Sequence, residues 1–352
     1  MNIKITSSGS YIPTQIVTNL DFAKNNFLND DGSSFAYPND VIAQKFTQIT
    51  GIVERRYVSN DLVASDIGFF AAQKAIQDAS LDPETIDYII FAHNFGDVPF
   101  GETQSDAVPS LAARVKQKLQ IKNPKCVAYD MLFGCPGWIE AVIQATAFIK
   151  SGLAKRCLVI GAETLSRVVD PHDRDSMIYS DGAGATILEA SLENDGILAH
   201  ASATFAYQEA DYLFFGKSYN KNLNQQTRYI KMYGRKIYEF ALLEVSKAMK
   251  ECLDKSGIPI ENIKKILIHQ ANEKMDEAII NRFYKLYNLP TPAGIMPMSI
   301  HKLGNSSVAT VPTLYDLLIK NKIENHSIQK GDHLIFASVG AGMNINCFVY
   351  KM

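Results

Sequence analysis

The strongest constraint on this chain is that one pattern of elements occurs in it twice. Residues 71–94 read AAQKAIQDASLDPETIDYIIFAHN, and residues 246–272 read SKAMKECLDKSGIPIENIKKILIHQAN. Each predicts an amphipathic helix, a turn with proline and an acidic residue, a short polar step, and an Ile-rich strand ending in His and Asn. The units that follow correspond as well. Cys135 opens a helix ending at Phe148-Ile149-Lys150-Ser151-Gly152, and the strand Cys157–Ala162 comes next. In the second half, Gly304-Asn305-Ser306-Ser307 opens a helix ending at Leu318-Ile319-Lys320, and the strand Leu334–Gly340 comes next. Like units occurring twice imply two like halves packed together, here an α/β chain divided into 1–190 and 191–352. In that register Cys135 of the first half answers Asn305 of the second.

Around Cys135 a β-like stretch (Cys126 to Asp130) runs through a Gly134-Cys135-Pro136-Gly137 corner into an apolar helix over 136–150. Pro136 suits the first helical position, where its missing N–H would lack a partner anyway. Trp138, Ile139, Val142, Ile143, Ala145, Ala147 and Phe148, with few charges among them, predict a helix buried on most sides. The thiol then lies at a helix N-terminus, where free amides and the dipole favour thiolate. That is a nucleophile's geometry. Local sequence leaves a buried structural cysteine open as the alternative.

Composition narrows the class. With 352 residues and 47% hydrophobic content, the chain can bury a large core as two subdomains or one doubled domain. A formal net charge of −2 argues against nucleic acid or an anionic membrane as partner. No apolar run approaches the roughly 20 residues of a membrane span. The start, Met-Asn-Ile-Lys-Ile-Thr-Ser-Ser, lacks the apolar core of a signal peptide. Cysteines at 126, 135, 157, 252 and 347 make no CxxC pair and no disulfide framework. Cys126, Cys157 and Cys347 fall in apolar strand-like runs and read as core. A reduced, cytoplasmic enzyme is the expectation.

Partners for Cys135 are expected from the second half. His269 ends the strand of Lys265-Ile266-Leu267-Ile268-His269-Gln270-Ala271-Asn272, where α/β sheets place their chemistry. A satisfied core histidine is the alternative. Asn305 stands at a Gly-Asn-Ser-Ser corner, where asparagine is also a good N-cap. His93, His172, His200, His301, His326 and His333 show no metal-ligand spacing, so no metal is expected. Ser180-Asp181-Gly182-Ala183-Gly184-Ala185 lacks the third glycine of a phosphate loop and runs into a strand, which points to close strand packing. Three stretches read as irregular. They are 21–48, the 94–109 connection with Gly96, Pro99, Gly101 and Pro109, and 205–229 with Tyr207, Tyr212, Phe214, Phe215 and Tyr219. The second has the makings of an ordered functional loop. The third suits a tunnel lining, a subunit contact or a surface loop with aromatic anchors.

Read in order, these motifs resemble the β-ketoacyl-acyl-carrier-protein synthase III family of thiolase-fold condensing enzymes. The resemblance runs nearly end to end. It takes in Gly9-Ser10-Tyr11-Ile12-Pro13, Thr50-Gly51-Ile52-Val53-Glu54-Arg55-Arg56, the cysteine corner and Gly161-Ala162-Glu163-Thr164-Leu165-Ser166. It continues through Asp181–Ala185, His269–Asn272, Gly304–Ser307 and Gly340-Ala341-Gly342. It implies a five-layered αβαβα fold with two pseudo-twofold-related halves, a homodimer, and a Cys-His-Asn triad of Cys135, His269 and Asn305. It implies C–C bond formation by Claisen condensation between a cysteine-bound acyl group and a malonyl- or β-ketoacyl-thioester. The substrates would be thioesters of coenzyme A or acyl carrier protein, with no further cofactor. The oxyanion hole would be the backbone amides of Cys135 and Ala341, with Gly340 and Gly342 letting that backbone approach the sulfur. Lys274 stands where the family has a basic residue that helps dock the carrier.

Three departures from the family pattern stand out. A tryptophan and an arginine that clamp the adenine of coenzyme A fall here on Lys45 and Ile49, while a further clamp arginine is matched by Arg174. The large aromatic that reaches the partner subunit's acyl pocket is Val108. The 94–109 loop is longer than usual. Together they point away from acetyl-CoA priming and toward a specialised relative, such as the ketosynthases that build dialkylresorcinols in polyketide-like secondary metabolism. Two other readings are an acyltransferase to an alcohol or amine and a non-catalytic subunit of a heterodimer. The intact His269/Asn305 pair argues against the first, and the intact triad against the second.

Overall fold

The computed structural model describes residues 2–352. In chain order its strands and helices are β1 (Asn2–Tyr11), β2 (Gln15–Thr18), α1 (Asn39–Thr50), β3 (Glu54–Tyr57), α2 (Ala64–Asp78), β4 (Tyr88–His93), α3 (Leu111–Lys118), β5 (Val127–Leu132), α4 (Gly137–Lys150), β6 (Arg156–Thr164) and β7 (Asp181–Ser191). Then come β8 (Gly196–Thr204), β9 (Leu213–Lys217), β10 (Arg228–Met232), α5 (Gly234–Ser256), β11 (Ile263–Ile268), α6 (Glu273–Lys285), α7 (Ile300–Leu303), α8 (Thr310–Ile319), β12 (His333–Gly340) and β13 (Asn344–Lys351).

Two large sheets form, with strand orders β1-β7-β6-β4-β5 and β8-β13-β12-β11. β4 runs parallel to β5 and β6, β11 runs parallel to β12, and the other neighbours are antiparallel. The orders match strand for strand, so β4, β6, β7 and β1 answer β11, β12, β13 and β8. In place of β5 the second sheet has only an irregular edge, where Ile266 N–H donates to Ile295 O at 2.9 Å.

Side chains explain the layering. In β4, Ile89 and Phe91 point to one face and Ile90 to the other, and all three are fully buried. A strand buried on both faces needs a helix layer on each side. α2 and α3 cover the outer face of the first sheet, where Ile67, Ala71 and Val115 pack on Ile89, Phe91 and Ile160. α5 and α6 cover the second sheet, where Val245, Met249, Ile279 and Phe283 pack on Ile266, Ile268 and Ile335. α4 and α8 lie between the sheets. There Trp138, Val142, Leu314 and Leu318 meet Ile90, Val159 and Leu188 of one sheet and Leu267, Phe336 and Phe348 of the other. The result is the five-layered αβαβα thiolase fold. No helix among the described residues is long and apolar enough to cross a membrane.

Two of the irregular stretches contain regular structure. Residues 39–50 form α1, because Ile42, Ala43, Phe46 and Thr50 make a buried stripe at helical spacing. The turn-forming Asn and Asp residues over 25–34 obscure that stripe in the sequence. Within 205–229 the chain forms β9, which pairs antiparallel with β10 from Leu213↔Met232 to Lys217↔Arg228. The Ser180–Ala185 segment opens into β7 and packs closely, since a Cβ on Gly184 would stand 2.7 Å from Pro312 Cβ. The remaining irregular stretch, 94–109, carries no helix or strand.

Close packing of the turn leading into α8 on the first sheet has a measurable cost when disturbed. A Cβ on Gly161 of β6 would lie 2.5 Å from Val308 O, a backbone atom. Gly161→Ala should lower unfolding stability by about 1–3 kcal/mol, read as an earlier midpoint in urea. An unchanged midpoint would show that the two segments are not in contact.

Candidate active site

The cysteine corner is a turn pressed against the other half. Gly134 has φ +77°, and Gly137 N–H donates to Gly134 O at 2.9 Å, closing the turn before α4. A Cβ on Gly134 would stand 2.9 Å from Ala341 N. A Cβ on Gly340, at the end of β12, would stand 2.6 Å from Cys135 N. Only glycine allows both approaches. Pro136 caps α4, which starts one residue later than the sequence indicates.

Cys135, His269, Asn305, Gly340, Ala341 and Gly342 all line one cavity of about 870 Å³, together with Arg174. His269 follows β11, and its N–H donates to Ala337 O at 2.8 Å. Its ring is buried, Nδ1 has no partner, and burial pushes its pKa down to about 4. The imidazole is therefore neutral at ordinary pH. Asn305 does not cap a helix. Its N–H donates to Ile178 O at 3.0 Å, its carbonyl accepts from Ser180 N–H at 2.8 Å, and its Oδ1 accepts from Ser307 N–H at 2.8 Å. With Oδ1 engaged, the group Asn305 has to offer the cavity is its Nδ2 donor.

The thiol corrects one expectation. A helix N-terminus favours thiolate, yet burial pushes Cys135 up to about 11. Although the residue as a whole is half-buried, desolvation outweighs the helix end. Ser307 Oγ–H, donating to Sγ at 3.3 Å, pulls the other way, while the Glu163 carboxylate adds to the rise. Glu163 is itself pushed up to about 7 by burial, against the hydrogen bonds it accepts from Asn94. Ser307, Asn94 and Glu163 had no role in the sequence reading, although all three stand in its motifs. A residue type at a strand end does not reveal which way its side chain turns.

The remaining expected residues divide. Arg174 lines the cavity with its guanidinium 5.1 Å from the Phe35 ring centroid. Lys45 and Ile49 line it too, and Lys45 Nζ lies 3.7 Å from the Tyr37 ring centroid. Lys274 is exposed in the first turn of α6, outside the cavity wall. Val108 is 87% exposed and also lies outside it. The aromatic stretch does form cavity wall, through Leu213, Phe214 and Phe215. Phe215 packs on Phe95 with centroids 5.2 Å apart. Phe100 instead lies under Arg167, with the guanidinium 5.0 Å from its ring centroid.

Two halves of one fold, each lending residues to a single cavity at their junction, are the architecture of the thiolase-fold condensing enzymes. Comparison with known proteins narrows the class to a family. The model of the 3-oxoacyl-[acyl-carrier-protein (ACP)] synthase III family matches residues 129–205, and the model of its C-terminal part matches 253–352. The β-ketoacyl-[acyl-carrier-protein] synthase III of Staphylococcus haemolyticus is 31% identical over 352 residues, covering 100% of this chain and 99% of that protein. A Vibrio vulnificus protein of the same name is 33% identical over 347 residues, covering 97% of each. The crystal structure of 3-oxoacyl-[acyl-carrier-protein] synthase III from Aquifex aeolicus matches with a TM-score of 0.80 at 29% identity, covering 99% of this chain and 100% of that one. The chain belongs to the synthase III family. It is an acyltransferase that forms carbon–carbon bonds by Claisen condensation, and the two alternative readings are not favoured.

The depressed His269 pKa can be read directly. In protein carrying ¹⁵N-labelled histidine, the His269 ring should stay neutral as pH falls through the ordinary imidazole value of about 6.5 and protonate only near 4. An imidazolium signal for His269 at about pH 6 would contradict the burial argument.

Proposed function

We propose that Cys135 takes an acyl group from a thioester and passes it to a malonyl- or β-ketoacyl-type thioester, with coenzyme A or acyl carrier protein as the carrier. One observation carries this reading: Cys135, His269, Asn305 and Ala341, drawn from opposite halves, share the wall of one cavity. In the first step the Cys135 sulfur adds to the thioester carbonyl. The oxyanion is held by the amides of Cys135 and Ala341. The carrier's C–S bond breaks, and the proton of the Cys135 thiol leaves with the carrier thiolate. In the second step the single N–H of neutral His269 and the Nδ2 of Asn305 donate to the extender's carbonyl oxygen. A malonyl extender loses CO₂ to give an enolate, whose carbon attacks the acyl-cysteine. The new C–C bond forms, the Cys135 C–S bond breaks, and the thiolate released takes a proton from water. A neutral imidazole suits this step, because it donates a hydrogen bond without delivering its proton.

Loss of Cys135 should abolish acyl labelling seen by intact-protein mass spectrometry, whereas Cys126→Ala and Cys157→Ala should label normally. In the same series, His269→Ala or Asn305→Ala should cut condensation by ~10²-fold or more and spare self-acylation. A stable adduct on Cys135→Ala protein, or equal damage to both steps in the His269 and Asn305 variants, would overturn the assignment.

The preferred donor is a medium-length or branched acyl group, and the enzyme serves a secondary pathway of the dialkylresorcinol type. The cavity volume of about 870 Å³ and the apolar wall of Phe95, Leu132, Phe214, Phe215, Ile230 and Met232 support this. So does the replacement of the adenine clamp by Lys45 and Ile49, with Arg174 retained. The enzyme works as a cytoplasmic homodimer of subunits divided at 190/191. In it Val108, exposed on its own subunit, enters the partner's acyl pocket, and Lys274 contacts the acidic carrier. Each CH₂ buried is worth about 0.8 kcal/mol, nearly fourfold in affinity. Hexanoyl and octanoyl thioesters should therefore acylate Cys135 faster than acetyl-CoA. Fastest acylation by acetyl-CoA would restore an ordinary initiation role.

A further inference from the structure

We infer that Ser307 is a built-in donor to the Cys135 sulfur, aimed there by Asn94 and Glu163, a role that presupposes the nucleophile proposed above. The hydrogen-bond polarity of the cluster fixes the direction. Glu163 Oε1 accepts from both the backbone N–H and the Nδ2 of Asn94. A carboxylate oxygen only accepts, so the face of the Asn94 amide turned to Glu163 is its NH₂. The same Nδ2 reaches Ser307 Oγ at 2.9 Å. One hydrogen of the NH₂ goes to Glu163 and the other to Ser307. Ser307 has a single hydroxyl hydrogen, and Asn94 presents it no acceptor. That hydrogen is left for Cys135 Sγ, 3.3 Å away.

The backbone of Ser307 shows that its place is held by the site. Its φ is +54°, a left-handed conformation that non-glycine residues rarely adopt. Its N–H is taken by Asn305 Oδ1 at 2.8 Å, and the residue is 3% exposed. Ser307 therefore bridges the Asn305 side chain, the cysteine and the first half of the fold. Asn94 follows β4 and Glu163 lies in β6, while Ser307 comes from the second half, so the chain of bonds crosses the junction.

Charge and orientation oppose each other here. The negative charge of Glu163 works against a thiolate, whereas the donor it orients favours one. The other titratable groups facing this cluster are His93 on β4, Asp181 on β7, Tyr179 beside Cys135, and His269 across the cavity. Asp130 on β5 pairs with His93 at 3.1 Å. Asn94 and Glu163 are positioning residues, and Ser307 alone touches the reacting atom.

The test is the pH dependence of Cys135 alkylation by iodoacetamide in the full-length protein, read by peptide mass spectrometry. Ser307→Ala removes a hydrogen bond to a charged group and should raise the alkylation midpoint by about one pH unit or more. Asn94→Ala frees the hydroxyl to turn and should raise it by a smaller amount. Glu163→Gln keeps an acceptor for Asn94 but drops the charge, so its midpoint should stay put or fall. Damage to packing alone would change labelling at every pH without moving the midpoint. An unmoved midpoint in Ser307→Ala, or a raised one in Glu163→Gln, would overturn the inference while leaving the nucleophile in place. A stable acyl adduct on Cys135→Ala protein after incubation with an acyl thioester would overturn both.

Discussion

A helix packed between two sheets keeps little surface for solvent, and its ends are where it can best meet a substrate. This constraint shapes the molecule. α4 and α8 supply the apolar middle layer, with Trp138, Leu314 and Leu318 wedged between the inner faces of both sheets. The approaches to their N-termini are the Cys135 corner and the Asn305–Ser307 corner. Both open on the same cavity because the two halves repeat one topology about the junction. Burying the central helices and placing the cavity are thus one structural decision.

The same burial sets the electrostatics. Removing water disfavours whichever form is charged, so it drives the Cys135 thiol up and the His269 imidazole down. Both groups rest neutral. Asn305, Ser307 and Ala341 line the same cavity as these two neutral groups, and the Ser307 hydroxyl donates to the Cys135 sulfur at 3.3 Å.

Much of the fold was legible because its signal is periodic. The Ile-rich strands and the repeated helix–turn–strand units indicate sheets covered on both sides, and the two sheets have that form. α1 was hidden, since Ile42, Ala43 and Phe46 make a short stripe beside a run of turn-forming residues. The β9–β10 hairpin was hidden too, because its aromatic side chains face the cavity wall and do not follow a simple alternation. Cys135, His269 and Asn305 could be picked out from corners and strand ends. The repeat set Cys135 against Asn305 and His269 of the second half, and the resemblance then made the three a triad, but the Ser307–Asn94–Glu163 cluster needed side-chain direction, which no spacing rule supplies. The expected acidic thiol failed for a physical reason: a helix end can be recognised in one dimension, whereas desolvation depends on everything packed around it.

The contact of Gly340 with the Cys135 corner separates what can drift in this protein from what cannot. There the geometry is held by backbone against backbone, with no side chain to trim or enlarge. The opposite wall hangs on a two-stranded hairpin that pairs with neither large sheet. Its Phe214 packs on Tyr233 and its Phe215 on Phe95, each with ring centroids 5.2 Å apart. One wall of the cavity is thus tied to the layered core by backbone contact, while the other belongs to an element outside both large sheets.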